Sequence, residues 1–272
     1  MRLKSAVPAA LALVFAAGAQ VGPGQAQPAA PNLHLDLAYD GKLYIKVLDL
    51  HLDQTVGPEV FGANIAMRSY GVLAAFKHFD IKAAAQGRIQ AGAPRPQAFD
   101  YVNHDGKRVR HVTATWGEDD VRMTSTPAFS NLGDPAATPA QKLAAADPLT
   151  QLVRLMLTPG GQTPCAGASR YFDGKQLYEL SLAPAGAGAL SDRARALGLT
   201  NPQRCTLAYH EVAGFKRKPP NKRNQGLESP VKVTFGQLGQ GGPWVIADLE
   251  AETKLGPAHI ELADARMHAA RP

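Results

Sequence analysis

The chain of 272 residues holds two cysteines, Cys165 and Cys205, and a lone pair of thiols invites a short list of chemistries. Redox exchange needs a Cys-x-x-Cys spacing or a basic cluster that lowers a thiol pKa; the spacing is absent and no basic cluster lies beside Cys165. No metal-ligand pattern surrounds them either. In an oxidising compartment such a pair closes a structural disulfide. A loop of about 40 residues closed this way would stabilise the fold by roughly 4 kcal/mol through the entropy of the unfolded chain. The bond is expected to join the region of the Asp173-Gly174 turn to a strand over 205–212.

Charge offers the second chemistry. Lys216, Arg217, Lys218, Lys222 and Arg223 crowd around Pro219-Pro220-Asn221. Five cations beside two prolines make either a loop that docks on lipid phosphate, lipopolysaccharide or an acidic protein patch, or a solvated extension whose charge keeps a sheet edge from pairing. Both uses require the loop to be exposed, because unpaired cations are costly to desolvate.

The remaining titratable groups carry weaker signals. In Asp49-Leu50-His51-Leu52-Asp53 the period of two puts Asp49, His51 and Asp53 on one strand face, which reads as the wet side of a half-buried strand and lacks a fourth ligand for a metal. Glu118-Asp119-Asp120 follows Trp116-Gly117 and reads as a turn. The sequence has no His-Glu-x-x-His, no Gly-x-Ser-x-Gly elbow, no phosphate-binding glycine loop and no dinucleotide fingerprint. No catalytic residue, metal or cofactor is therefore assigned.

The elements that would position these groups are mainly strands. Leu33, Leu35, Leu37 and Tyr39 alternate with polar neighbours, and Asp40-Gly41 is read as the turn into Leu43, Ile45 and Val47. Asp105-Gly106, between strands read over 99–104 and 109–116, and Asp173-Gly174 repeat the device, and Gly256-Pro257 marks a fourth hairpin. Further strands are expected over 61–67, 79–89, 121–125, 205–212, 231–235, 244–252 and 259–267. Helix is scarce. Asp147 as N-cap, Pro148 in the first turn and Pro159-Gly160 as the stop define one helix over 147–157, with a short one before it over 139–146. Leu149, Leu152, Val153, Met156 and Leu157 recur along it at helical spacing.

Ahead of these, Arg2 and Lys4 precede an apolar run over 6–19 and small-x-small sites at Ala17-Gly18-Ala19 and Gly24-Gln25-Ala26, the pattern of a cleaved signal peptide. Residues 1–26 are read as that peptide and 27–272 as a single domain, exported to the periplasm. Removing Arg2 and Lys4 from the formal charge of +6 leaves about +4, modest and dispersed. Nucleic acid is not an expected partner, and no later run is long enough to span a bilayer.

The order Asp147-Pro148-Leu149, Cys165, Tyr171-Phe172-Asp173-Gly174-Lys175, Cys205-Thr206-Leu207-Ala208-Tyr209 and Ala213-Gly214-Phe215 resembles the exported proteobacterial proteins of the domain-of-unknown-function 3108 family. Tyr70-Gly71 and the closing hairpin over 244–262 also sit where those proteins have comparable features. The resemblance implies a fold similar to periplasmic lipoprotein carriers, an antiparallel sheet curled as a half-barrel or open barrel around one or two short helices. It supplies no catalytic residue.

Two functions follow as expectations. In the first, a groove between helix and sheet, lined by Leu149, Leu152, Val153 and Met156, binds a lipid or other amphipathic ligand of the envelope. In the second, the core is solid and the basic loop docks the protein to an anionic envelope surface or an envelope protein. A continuous cavity of several hundred Å³ favours the first, a filled core with exposed apolar surface the second. A polar pocket of convergent titratable groups would favour a third possibility, an enzyme.

Overall fold

A computed structural model describes residues 32–76, 78–159, 162–216, 230–253 and 256–269. The expected signal peptide lies outside the described residues, as do Arg217, Lys218, Lys222 and Arg223 of the basic loop.

The chain opens with β1 (Leu33–Leu43), β2 (Ile45–Val56), β3 (Val60–Ser69), α1 (Gly71–Phe76), β4 (Phe79–Gln90), β5 (Ala93–Asp105), β6 (Arg108–Trp116) and β7 (Val121–Thr126). Two helices follow, α2 (Pro139–Leu143) and α3 (Pro148–Met156). It continues with β8 (Gly167–Phe172), β9 (Leu177–Ala187), α4 (Asp192–Ala196), β10 (Leu199–Ala213), β11 (Val231–Leu238), β12 (Trp244–Thr253) and β13 (Gly256–Ala269). All thirteen strands form one antiparallel sheet in the order β7-β6-β5-β4-β3-β2-β1-β13-β12-β11-β10-β9-β8. The first and last strands of the described chain thus pair in the middle, and β7 and β8 are left as its two edges. The fold is mainly β and barrel-like, with a seam where those edges are not hydrogen-bonded to each other.

Alternation builds the inner face. Leu35, Leu37 and Tyr39 of β1, Leu50 and Leu52 of β2, and Phe61, Ala63 and Ile65 of β3 are buried, while their polar neighbours face outward. Against this face lies α3, packed on β3, β4, β5 and β12. Its start is set by Asp147, whose Oδ1 accepts the Thr150 backbone N–H at 2.8 Å, with Pro148 at a position that needs no N–H donor. Every residue of α3 except Arg154 is buried. A helix buried nearly all round, its Thr150 and Gln151 included, is one enclosed by the rest of the fold.

The seam is closed by the chain that crosses it. Ala146 forms an isolated parallel bridge with Tyr171, giving its N–H to Arg170 O and accepting the Phe172 N–H at 3.0 Å, so the outer edge of β8 is engaged at its end. On the other side the Trp116 indole donates to Ala145 O at 3.1 Å, and Lys142 reaches Asp120 at 3.0 Å. Earlier in the crossing, Asp134 N–H donates to Phe215 O and Gly214 N–H to Pro135 O, each at 2.8 Å. There a Cβ on Gly133 (φ +99°) would stand 2.3 Å from the Gly214 carbonyl carbon, so only glycine permits this approach. Each edge is thus held at a point, β8 at Tyr171 and the β7 side at Trp116, Asp120 and Val121, which shortens the pairing template an open sheet presents.

Three expectations are corrected. Asp40-Gly41 is not the first turn: both residues lie inside β1, and the tip is Tyr44 at φ +65°. Gly41 serves a bulge there, since a Cβ would fall 2.5 Å from that of Leu48. The β5 strand begins well before Phe99, because Pro94 and Pro96 pair with β4 where β6 does not reach, its register starting at Ala98; on that unpaired side the missing N–H costs nothing. Cys165 and Cys205 are bonded, with Cα atoms 5.3 Å apart. The bond ties the entry of β8 to β10, at the end of β8 away from the Asp173-Gly174 turn.

Candidate functional site

The four helix residues expected to line a groove are core residues. Leu149, Leu152, Val153 and Met156 are all 4% exposed or less, and the space between α3 and the sheet, beside Leu152, Tyr39, Gln54 and Trp244, is about 10 Å³. That volume admits about one water molecule. Two donors meet it without a partner, Gln54 Nε2 and Trp244 Nε1, each on a side chain 2% exposed. Burial also pushes the Tyr39 phenol, on the same cavity, far above its ordinary pKa.

The outer face organises the histidines and acids in pairs across strands. His51 Nε2 lies 2.7 Å from Asp36 Oδ1, His111 Nε2 lies 2.5 Å from Asp100 Oδ2, and His34 meets Asp53. Asp49, His51 and Asp53 do share a face, but each is engaged by a different neighbour, Asp49 by Lys46 at 2.6 Å. A shallow depression of about 250 Å³ lies between His51, Asn64, Lys82 and Asp100, floored by Ala66 and Ala84. Asp120 of the acidic run accepts the Val121 N–H at 2.7 Å within its turn, and the Lys142 ammonium holds its carboxyl below the ordinary range.

One trio could hold a metal ion. Ligand atoms of Asp248, His259 and Glu261 all lie within 4.8 Å of one another, a nitrogen and oxygen set suited to zinc or manganese. Glu261 is already engaged by Lys42 at 2.5 Å, and burial raises the Asp248 carboxyl. Asp248 Oδ1 is buried without a hydrogen-bond partner among the described residues, with His259 Nδ1 at 3.5 Å.

A different pattern appears where the basic loop leaves the sheet. The antiparallel order puts the end of β7, the β8–β9 turn and the exit of β10 at one end of the barrel, next to the seam. Here the Arg110 guanidinium stands 4.6 Å, and the Lys175 ammonium 5.2 Å, from the centre of the Phe129 ring. Arg110 also donates to Pro127 O at 3.0 Å. Burial first, and then the neighbouring charge of Lys216, hold the Lys175 ammonium below its ordinary pKa. Asp173, the nearest acid, is turned to backbone, accepting the N–H of Lys175 at 2.9 Å and of Gln176 at 2.7 Å.

Among the described residues, none of Arg110, Lys175 and Lys216 has a carboxylate at ion-pair distance. Some outward cations do, Lys46 with Asp40 and Asp49, and Arg204 and Lys232 sharing Glu250. The exposed Lys82, Arg88, Arg95, Lys107, Arg108 and Arg122 are scattered singly and also have no such partner among the described residues. What sets Arg110 and Lys175 apart is the ring they share. The same end carries exposed apolar side chains, Tyr44, Ile45, Tyr70 and Val109. Of the expected docking residues only Lys216 is described, and it is exposed. Sequence reasoning missed Arg110, Phe129 and Lys175 because they belong to three separate segments joined only by the crossing of the seam.

No family profile matches the chain, and no curated protein matches it in sequence. Among solved structures it is similar to a β-barrel-like protein of domain of unknown function DUF1849 from Brucella abortus, at 10% identity and a TM-score of 0.47 over 88% of this chain and 99% of that one. Among the described residues no helix is long and apolar enough to cross a membrane.

Proposed function

We propose that the protein is exported to the periplasm and docks on an anionic envelope surface through the seam end of its barrel, binding there without catalysis. The observation that carries this is the convergence of Arg110, Lys175 and Lys216, unpaired, at the point from which Arg217, Lys218, Lys222 and Arg223 continue. Cations left without counter-ions raise the local potential and attract anions over about one Debye length. The nearly filled core beside α3 supports docking over carriage, since a lipid tail needs several hundred Å³. Kinship with the domain-of-unknown-function 3108 proteins, which rests on the motif order from Asp147 to Phe215, belongs to the same proposal. Osmotic-shock fractionation of expressing cells, followed by vesicle flotation of the released protein, tests both parts. Retention in the cytoplasm, or flotation equal with neutral and anionic vesicles, would contradict it.

A second reading keeps the amphipathic ligand beside α3. The unpartnered Gln54 and Trp244 donors favour it, as they could take an acceptor oxygen of a ligand head. It requires α3 to move away from the sheet, and native mass spectrometry of the periplasmic protein for co-purifying lipid tests it.

A further inference from the structure

We infer that Arg110 and Lys175, held over the Phe129 ring at the seam with Lys216 as the charge neighbouring Lys175, form a site for the phosphate of an anionic lipid headgroup, separate from the diffuse charge of the basic loop. The inference rests on the docking proposal and adds to it a defined site, residues from three segments and a ligand class.

Three features fit a phosphodiester at a membrane surface. Arg110 supplies a planar fork of donors suited to two phosphate oxygens, and Lys175 and Lys216 supply point charges beside it. The ring of Phe129 and its tie from Arg110 to Pro127 O hold two of these cations near one another before any ligand arrives, so the cost of assembling like charges is already met by the fold. The same barrel end exposes Val109 (48%), next to Arg110 on β6, and across the end, at the β1–β2 turn and after β3, Tyr44 (81%), Ile45 (54%) and Tyr70 (47%), aromatic and aliphatic groups of the kind that settle at the headgroup level of a bilayer. A soluble phosphate would use the cations alone. Apolar side chains on both sides of the same end gain a role when that end rests flat on a bilayer, which makes the phosphate a lipid's.

The test compares the full exported protein with two variants. One replaces Arg110 and Lys175 by glutamine; the other replaces Arg217, Lys218, Lys222 and Arg223 by glutamine. Binding is measured on phosphatidylcholine vesicles with and without phosphatidylglycerol, in the presence of glycerol phosphate or chloride at equal ionic strength. For the wild type, glycerol phosphate should displace the protein from anionic vesicles more strongly than chloride does. The Arg110/Lys175 variant should bind at least tenfold more weakly and lose that difference, while the loop variant weakens but keeps it. Equal displacement by both salts, or wild-type binding by the Arg110/Lys175 variant, would overturn the site while leaving docking intact. If the wild type binds no anionic vesicle, the docking proposal itself fails. Amide shifts of Phe129, Gly174 and Lys175 on adding glycerol phosphate then decide the site alone: shifts confined to these residues support it, and their absence overturns it. Should the double variant unfold, Lys175→Gln alone, at a side chain with no hydrogen bond to lose, carries the same comparison with a smaller expected loss.

Discussion

The Trp116 indole N–H donates to the Ala145 carbonyl at 3.1 Å, and one residue later Ala146 bridges to Tyr171 of β8. These two consecutive residues connect the β7 side of the seam to the β8 side without strand pairing. A barrel closed this way depends on a few side-chain and single-residue contacts where a ladder would supply many.

Trp116→Phe keeps most of the ring and removes the donor. It should lower stability by about 1 kcal/mol, with Ala145 O left short of a partner, as read from the midpoint of urea unfolding. An unchanged midpoint would mean that the seam is held elsewhere.

Asp147 is fully enclosed, and burial pushes its carboxyl up to about 6. A folded pKa above the unfolded value means that the native state binds the proton more tightly. Stability from this group is therefore present at low pH and is lost as pH rises from about 4 to about 6. Asp147→Asn retains an N-cap of similar strength and cannot titrate. The variant should gain roughly 2–3 kcal/mol relative to wild type across that window. Parallel stability curves for the two proteins would contradict the burial of an ionisable cap.

Gln54 brings an amide donor into an apolar cavity with no partner. Gln54→Leu removes the desolvated group and fills similar volume, so stability should stay level or rise by about 1 kcal/mol. A loss above that size would show that the amide is satisfied, by a bound water or a ligand.

Replacing both Cys165 and Cys205 by alanine should lower stability by up to about 4 kcal/mol, the chain-entropy estimate for a loop of this length, and leave the far-ultraviolet spectrum unchanged. Two reactive thiols in the denatured, unreduced wild-type protein would refute the bond.

Much of this architecture is legible in the residues. Period-two alternation at Leu35, Leu37 and Tyr39, or at Phe61, Ala63 and Ile65, is a local consequence of a sheet with one wet face, and Asp147-Pro148 marks a helix start by local hydrogen bonding. The Asp40-Gly41 pair misled because a glycine that permits close packing under Leu48 looks the same in sequence as one that permits a turn. The seam was hidden for a stronger reason. Ala146 and Tyr171 meet through backbone groups that every residue carries, so no side-chain pattern announces the bridge. The unpaired cations were half visible: a run such as Lys216-Arg217-Lys218 is conspicuous, whereas Arg110 and Lys175 gain meaning only from the ring between them.

The docking claim is tested most directly by titrating the wild-type protein with phosphatidylglycerol-containing vesicles over a range of salt. The account predicts binding at low salt that falls steeply as salt rises, no binding to neutral vesicles, and loss of binding when Lys216, Arg217, Lys218, Lys222 and Arg223 are all neutralised, with an unchanged melting temperature. Binding that ignores salt, or that the neutralised protein retains in full, would contradict it.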